Sequence, residues 1–524
     1  MKSSAPWASA ILLLTVALAA PPSSIALPSP SPTSACPSSS TYTGSASSKQ
    51  AGQFALTLTL TCSSGRYGGS FVTSLPGGSF TITGGTLDGS VLTLQFTGEG
   101  ATGAVTGTLS NDSFSGTFSL GIDSGPFALR RTGGKAPPAI PTLDVSSAAW
   151  HDDLAYLARE LPLLHPKPYA FISRSAFDAE VARIDRELPH ADGDEAYFDL
   201  DRIATSIGDA HTYIEFPPDN ANLPIDIERF GSEYRVIDAA AVNARAVGAQ
   251  VLAIDGISIA TVRKKLLAIT PSSETMLLRE SRVEGFMTTG MALHGAGITD
   301  SRDSAAYALQ RHGSKPFIVV VHAVAANQNV HYVYAWRKPP LYASRPGIGF
   351  WFVSLPASHM VYCRFQSYEH LAQNSLALLQ FVRKVRPAKL VIDMRGNGGG
   401  SYTDGLNDLI LPIAAMPNVN HIGRLFVLID QDTFSAAMAN AAQFRYRTHA
   451  LLVGQVIGER PNSYQEPRQF VLPNTGLVVR YSTRYYAFVP SGPNEVIPDH
   501  LAVPTWAQFT AADDPALAWA LSWH

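Results

Sequence analysis

The chain has 524 residues, 46% of them hydrophobic and 15% charged, which is enough apolar surface for several domains. The 39 Lys and Arg against 42 Asp and Glu leave a net charge of −3, which excludes the basic excess of a phosphate-backbone binder. Of the 41 glycines, 19 fall between positions 41 and 134, a stretch with eight charged residues, so one domain is expected to be all-β and turn-rich.

Near the start, Ala10 to Ala20 is an apolar run too short to span a bilayer, followed by a Pro/Ser tract from Pro21 to Ser40. The pattern predicts a signal peptide over 1–26 and a linker over 27–40, hence an exported protein, periplasmic or secreted. Ala17 to Ala19 and Ser24 to Ala26 both fit small-x-small cleavage. Lipoprotein anchoring at Cys36 is disfavoured because Thr33 stands where an aliphatic residue is wanted. No later run reaches the roughly 18 apolar residues of a membrane span. In an oxidising compartment Cys36 and Cys62 are candidates for a bridge, with Cys363 a buried thiol; three unpaired thiols are the alternative.

Phe54, Leu56, Leu58, Leu60 and Cys62 alternate with small or polar residues, as in a half-buried strand. The same period returns around Phe80, Leu92 to Phe96, Phe114, Phe118 and Phe127, between turns such as Gly84-Gly85 and Asp88-Gly89. The stretch 41–134 is therefore an antiparallel barrel or sandwich. It lacks histidine and any convergent polar cluster, and is expected to be an accessory module.

After the linker Gly133 to Pro141 the period becomes helical. Trp150, Leu154, Leu157, Leu161 and Leu164 share one face behind a cap at Ser146 or Ser147. Phe177, Val181, Ile184 and Leu188 mark a second helix, capped by Ser175. A third runs from Asp194 to about Gly208 and leaves His211 at a helix-to-strand corner, in a helical segment spanning 146–215. Residues 223–270 end in a strand, an Asp-Gly turn and a helix that resemble part of a PDZ domain. Residues 271–345 show no clear period.

From 346 to 524 strands alternate with helices: strand Met360 to Phe365, helix Leu371 to Val385, strand Lys389 to Met394, strand Arg424 to Ile429, helix Phe434 to about Tyr446 and strand Leu451 to Val453. Such βαβ units make an α/β layer whose natural site lies at the strand C-termini.

Two loops there carry chemistry. In Gly396-Asn397-Gly398-Gly399-Gly400 the missing side chains allow close backbone approach and present N–H donors. No Gly-Lys-Ser/Thr follows, so a P-loop is excluded, and GxGxxG is not cleanly met. A tight turn and an oxyanion hole remain. In Asp432-Thr433-Phe434-Ser435, Thr433 is placed to cap a helix whose first turn carries Ser435, close to orphan N–H groups. That serine is either a capping residue or a nucleophile.

LVIDMRGNGGG (Leu390 to Gly400), DTFSAAMANA (Asp432 to Ala441), FVLPNTGLVV (Phe470 to Val479) and VIPD (Val496 to Asp499) resemble, in order and spacing, the C-terminal processing, or tail-specific, serine peptidases. IGDAHTYI (Ile207 to Ile214) resembles the histidine motif of their tricorn-like branch. The resemblance covers roughly 146 to 520 and leaves the β-rich domain outside. It implies a multidomain fold with a ClpP/crotonase-like α/β core, a peptide or protein substrate and no cofactor or metal. Ser435 is then the nucleophile, and the N–H groups of Gly400 and Ala436 form the oxyanion hole.

One branch of the family takes a lysine base downstream of the serine. Here the matching position holds Arg460, which stays protonated, and no lysine follows Ser435 at all. The resemblance therefore makes His211 the base, with Ala210 where a serine is frequent. It points to Glu495 as the acid orienting His211, with Glu466 as runner-up and Asp499 structural. Asp393 and Arg395 are expected to pair structurally. After Leu452-Val453-Gly454 the expected Glu-Pro-Thr-Gly is replaced by Gln455-Val456-Ile457-Gly458, a diverged loop. The competing reading is a catalytically inactive protein of the same fold that holds a peptide or apolar ligand. A third is an envelope-associated structural protein led by the β-rich domain. Cleavage preference and oligomeric state are not encoded in any motif.

Overall fold

Alternating apolar and polar residues at the N-terminus build one closed sheet. The computed structural model describes residues 39–48, 50–63, 66–75, 78–98, 101–110, 113–133, 141–270, 274–325, 328–490 and 494–523. The expected signal peptide, nearly all of the linker, and Cys36 lie outside them. Eight antiparallel strands between Ser39 and Gly133 form a barrel, the first strand (Ser39–Ser48) pairing with both the second (Gly52–Ser63) and the eighth (Asp123–Gly133). Closure removes both sheet edges. Inward positions such as Leu58, Leu92, Leu94 and Phe114 are fully buried, each side chain contributing about 1.5–3 kcal/mol. The first strand is mostly Ser, Thr, Gly and Ala, which hides it from an apolar-period reading. Cys62 is disulfide-bonded and Cys363 is a buried free thiol.

Three helices follow, Ser147–Leu164, Arg174–Glu187 and Gly193–Thr205. Ser146 caps the first. Ser173, two residues before the expected Ser175, caps the second, and Asp192 with Glu195 forms a capping box on the third. The first helix is anchored through buried Asp153, which accepts from the Asn474 and Thr475 N–H groups, both at 2.9 Å, and from the Thr475 hydroxyl at 2.6 Å.

The sheet expected to end near 270 continues to Tyr334. Strands Ile225–Phe230, Glu233–Ala240 and Gln250–Ile254 are joined by Ser304–Gln310, Phe317–His322 and Tyr332–Tyr334. The Asp255-Gly256 turn, with φ of 45° and 76°, makes the tight hairpin that its sequence predicts. Helices Met276–Phe286 and Gly290–Gly295 lie in the stretch that showed no period.

The C-terminal layer is a six-stranded sheet in the order Phe350–Leu355, Met360–Phe365, Lys389–Asp393, Leu425–Ile429, Leu451–Gly454, His500–Leu501. The first pair is antiparallel and the rest are parallel. The central strands are buried on both faces and read as continuous apolar runs. A hairpin, Asn462–Val471 with Val478–Ala487, leaves this layer and pairs with Tyr213–Ile214, bringing the helical segment against it. The same hairpin receives the barrel. Arg468 donates to the carbonyls of Ala51 and Gln53, and the Tyr481 and Ser74 hydroxyls meet at 3.4 Å.

Candidate active site

At the C-terminal end of strand Lys389–Asp393 the chain enters the Gly-rich loop. Buried Asp393 accepts from Tyr362 at 2.6 Å, Arg364 at 3.0 Å and Arg395 at 2.5 Å. Burial alone would raise its pKa, but the two guanidiniums outweigh it and hold the carboxyl at about 2. The pairing is structural, and Arg395 extends it to Asp514 at 2.7 Å. Asn397, fully buried, locks the loop: its amide donates to the Phe365 carbonyl at 2.9 Å and its side-chain oxygen accepts the Gly399 N–H at 3.0 Å.

The serine loop is bolted to this one. Phe434 N–H donates to the Asn397 carbonyl at 2.9 Å, and the Thr433 hydroxyl reaches the Met394 carbonyl at 3.2 Å and Asp430 at 2.9 Å. Thr433 is thus a brace between strands, and the residue at the cap position of helix Ala436–Arg447 is Ser435. Its side chain makes no capping bond, and its backbone is held at φ 56° and ψ −123°. A non-glycine residue in that region carries about 1–3 kcal/mol of strain, which points its side chain away from the helix.

His211 Nε2 lies 3.0 Å from Ser435 Oγ. The imidazole is 4% exposed and stacks on Phe434, centroids 4.9 Å apart at 25°. Its backbone N–H donates to Asp209 at 3.0 Å, and Asp209 in turn accepts from Ser482 at 2.7 Å and Thr212 at 2.9 Å and pairs with His165 at 2.9 Å. Burial would raise the Asp209 pKa, but these partners, His165 foremost, lower it. The corner beneath His211 is therefore fixed by a charged, satisfied carboxylate. Burial depresses the His211 pKa to about 4, leaving the ring neutral and its Nε2 free to accept a proton.

The other ring nitrogen faces a buried carboxyl group. His211 Nδ1 faces Glu459 Oε1 at 3.5 Å, and each of these buried atoms lacks any other partner. The second oxygen of Glu459 accepts the Ser435 N–H. One carboxyl group thus touches both members of the pair. Glu495, the residue expected there, is exposed, with no contact to the ring among the described residues. Glu466 bonds Tyr486, and Asp499 bonds the Leu452 N–H at 2.7 Å and Arg445 at 3.0 Å. The loop after Leu451–Gly454 buries Glu459 against the Ser435 N–H, whereas the Val496 to Asp499 segment leads into the edge strand His500–Leu501 with Glu495 exposed ahead of it.

Glu459 is raised well above the ordinary carboxylate range by burial and by nearby Glu274, and Glu274 itself is pushed up to about 7 by burial. Glu274 accepts from Ser463, from Arg460 N–H at 2.7 Å and from Ala210 N–H at 3.3 Å. Arg282 donates to the Ala210 carbonyl at 3.3 Å. Both come from the segment without a readable period.

On the other side of Ser435, a Cβ built on Gly399 would sit 2.7 Å from Ser435 Cβ and 2.9 Å from Ala436 N, and Gly399 has φ 102°. Only glycine lets the loop lie this close. Gly400 packs on Tyr368, where a Cβ would meet the ring at 2.5 Å. No described residue accepts from the N–H of Gly400 or Ala436. Among the described residues one trio, Asp192, Asp194 and His294, has metal-ligand spacing, but Asp192 caps a helix and Asp194 pairs with Arg302 at 3.2 Å and His294 at 3.0 Å. No helix among them is long and apolar enough to cross a membrane.

No family profile and no curated protein matches the chain. Among solved structures, mature CPAF complexed with lactacystin is similar at TM-score 0.50 and 13% identity, covering 71% of this chain and 97% of that one. The likeness to mature CPAF is one of fold. The photosystem II D1 C-terminal processing protease is similar at TM-score 0.34 and 14% identity, covering 70% of this chain and 97% of that one. For the tricorn protease the values are 0.31 and 11%, with 89% of this chain and 53% of that one covered.

Proposed function

We propose that the protein is an exported serine peptidase that cleaves peptide bonds through an acyl-enzyme. The observation that carries this is the 3.0 Å contact between His211 Nε2 and the oxygen of a serine held at positive φ. Neutral His211 removes the Ser435 proton as Oγ attacks the carbonyl carbon. The N–H groups of Ala436 and Gly400 receive the developing oxyanion, with Gly399 leaving the space open. His211 then protonates the leaving amine, and a water activated by the same imidazole hydrolyses the ester. Glu459, in place of Glu495, accepts the Nδ1–H hydrogen bond of the tautomer that the reaction needs, and the proton stays on the ring. The PDZ-like reading of the sheet that begins near 223 and the ClpP/crotonase-like reading of the core belong to the same proposal. Export rests on the apolar run and cleavage sites within 1–26.

The test is covalent labelling with a fluorophosphonate. The wild type is expected to take one label at Ser435, and Ser435→Ala, still folded, none. Label retained in Ser435→Ala removes the nucleophile assignment. A folded wild type that takes no label favours the inactive, ligand-holding alternative.

A further inference from the structure

An eight-stranded barrel is just wide enough to be filled by its own side chains or to hold one small ligand. This barrel does one at each end. Tyr42, Leu60, Cys62, Leu92, Leu94, Phe114 and Leu129 fill the end at which the chain enters and leaves. At the opposite end, where the strands end at Ser48, Thr73, Gly98 and Leu120 and begin again at Gly52, Ser79, Ala101 and Asp123, a cavity of about 210 Å³ remains.

Its floor is Phe54, Leu56, Phe71, Phe96 and Val105, all buried, and its rim is Leu75, Phe80, Phe118 and Leu120, all half-buried. Among the described residues two polar side chains line it, Thr73 and Asp123, and no Lys, Arg or His does. An apolar cavity of about 150 Å³ stays dry and accepts a benzene ring. This one is large enough for a chain of roughly eight carbons at liquid-like packing and too small for a full-length fatty acyl chain. An anionic head at the rim would meet the Asp123 carboxylate, with no cation among the described lining residues to offset it.

We propose that the barrel is a binding module for a small uncharged amphiphile, a medium-length aliphatic chain held tail-first in this cavity with a neutral hydroxyl or ester head at the Thr73 and Asp123 rim. The hairpin and turn that carry Ala51, Gln53 and Ser74, which dock on the peptidase-like hairpin, belong to the same end. The ligand therefore sits beside the junction of the two parts rather than in the cleft around Ser435.

Isothermal titration of the full chain with 1-octanol and with octanoate tests this. One saturable octanol site per chain is expected, with octanoate at least tenfold weaker. Val105→Phe on the floor and Leu120→Trp at the rim, both filling the cavity, are each expected to weaken octanol at least tenfold. Ser435→Ala should bind it as the wild type does, so the outcome is independent of whether the serine site is active. No saturable octanol binding, or binding unchanged in both folded filling variants, overturns the site. Octanoate equal to or tighter than octanol overturns the assignment of a neutral head.

Discussion

The barrel and the histidine corner solve opposite problems. Among the described barrel residues the buried polar groups are the hydroxyls of Ser40, Thr41, Thr43 and Ser74, and no charged side chain is buried. Around His211 six ionisable groups are buried together: His165, Asp201, Asp209, Glu274, Glu459 and His211 itself. Burying such groups costs stability unless each is partnered, and an incompletely partnered set is what acid–base chemistry requires. The interior of the barrel is packed with apolar side chains. The corner keeps two facing orphans, His211 Nδ1 and Glu459 Oε1, which apolar packing would not leave.

The largest expected effect that tests this contrast is His211→Ala. Fluorophosphonate labelling should slow by about 10⁴-fold or more while the fold is retained. A near-normal rate would break the contrast by showing that the buried ring is structural. Glu459→Gln comes next. It keeps the shape but replaces the carboxyl group facing Nδ1 by an amide, and is expected to slow labelling by about 10²- to 10⁴-fold, with Glu495→Gln leaving the rate unchanged. The reverse ranking would restore Glu495 as the orienting acid.

The pH response follows from the direction of the His211 shift. Because burial lowers its pKa from 6.5 to about 4, the labelling rate should hold through pH 6 and fall only as pH approaches 4. For stability the sign is the same. The unfolded chain takes up this proton first, so stability is lost as pH falls from about 6.5 to about 4 and this contribution is constant below. An acid limb centred near 6.5 would mean that the ring is far more solvated than its burial implies. The smallest expected effect on catalysis comes from the barrel. Leu94→Ala should cost about 2–5 kcal/mol in barrel unfolding, followed by denaturant titration, with no change in the labelling rate.

Much of this contrast was legible in the residues. Strand alternation marked the barrel from Phe54 onward, and the apolar strands of the α/β layer and the loops with Gly399 and Ser435 stood out because glycine and serine were required there for local reasons. His211 was found through its motif. Glu459 was missed because nothing local marks it. It follows Gly458 in a loop whose inward turn depends on Thr275 bonding the Gly458 carbonyl and Glu274 bonding the Arg460 N–H, contacts across more than a hundred and eighty residues. Glu274 and Arg282 were illegible for the same reason. The expected cap at Thr433 failed because its hydroxyl is used between strands, a competition invisible along the chain.

The hairpin that receives the barrel also sets a schedule. Arg468 and Tyr481 bind Ala51, Gln53 and Ser74 across 407 to 417 residues, and Ser435 meets His211 across 224. At roughly 5–20 residues per second, a ribosome delivers that hairpin about 17–70 s after the barrel sequence has emerged. The N-terminal module must therefore stand alone in the meantime, which its closed, edgeless sheet allows. The serine and the imidazole can meet only once the chain has been made through Ser435, so a product truncated before it carries His211 without that partner.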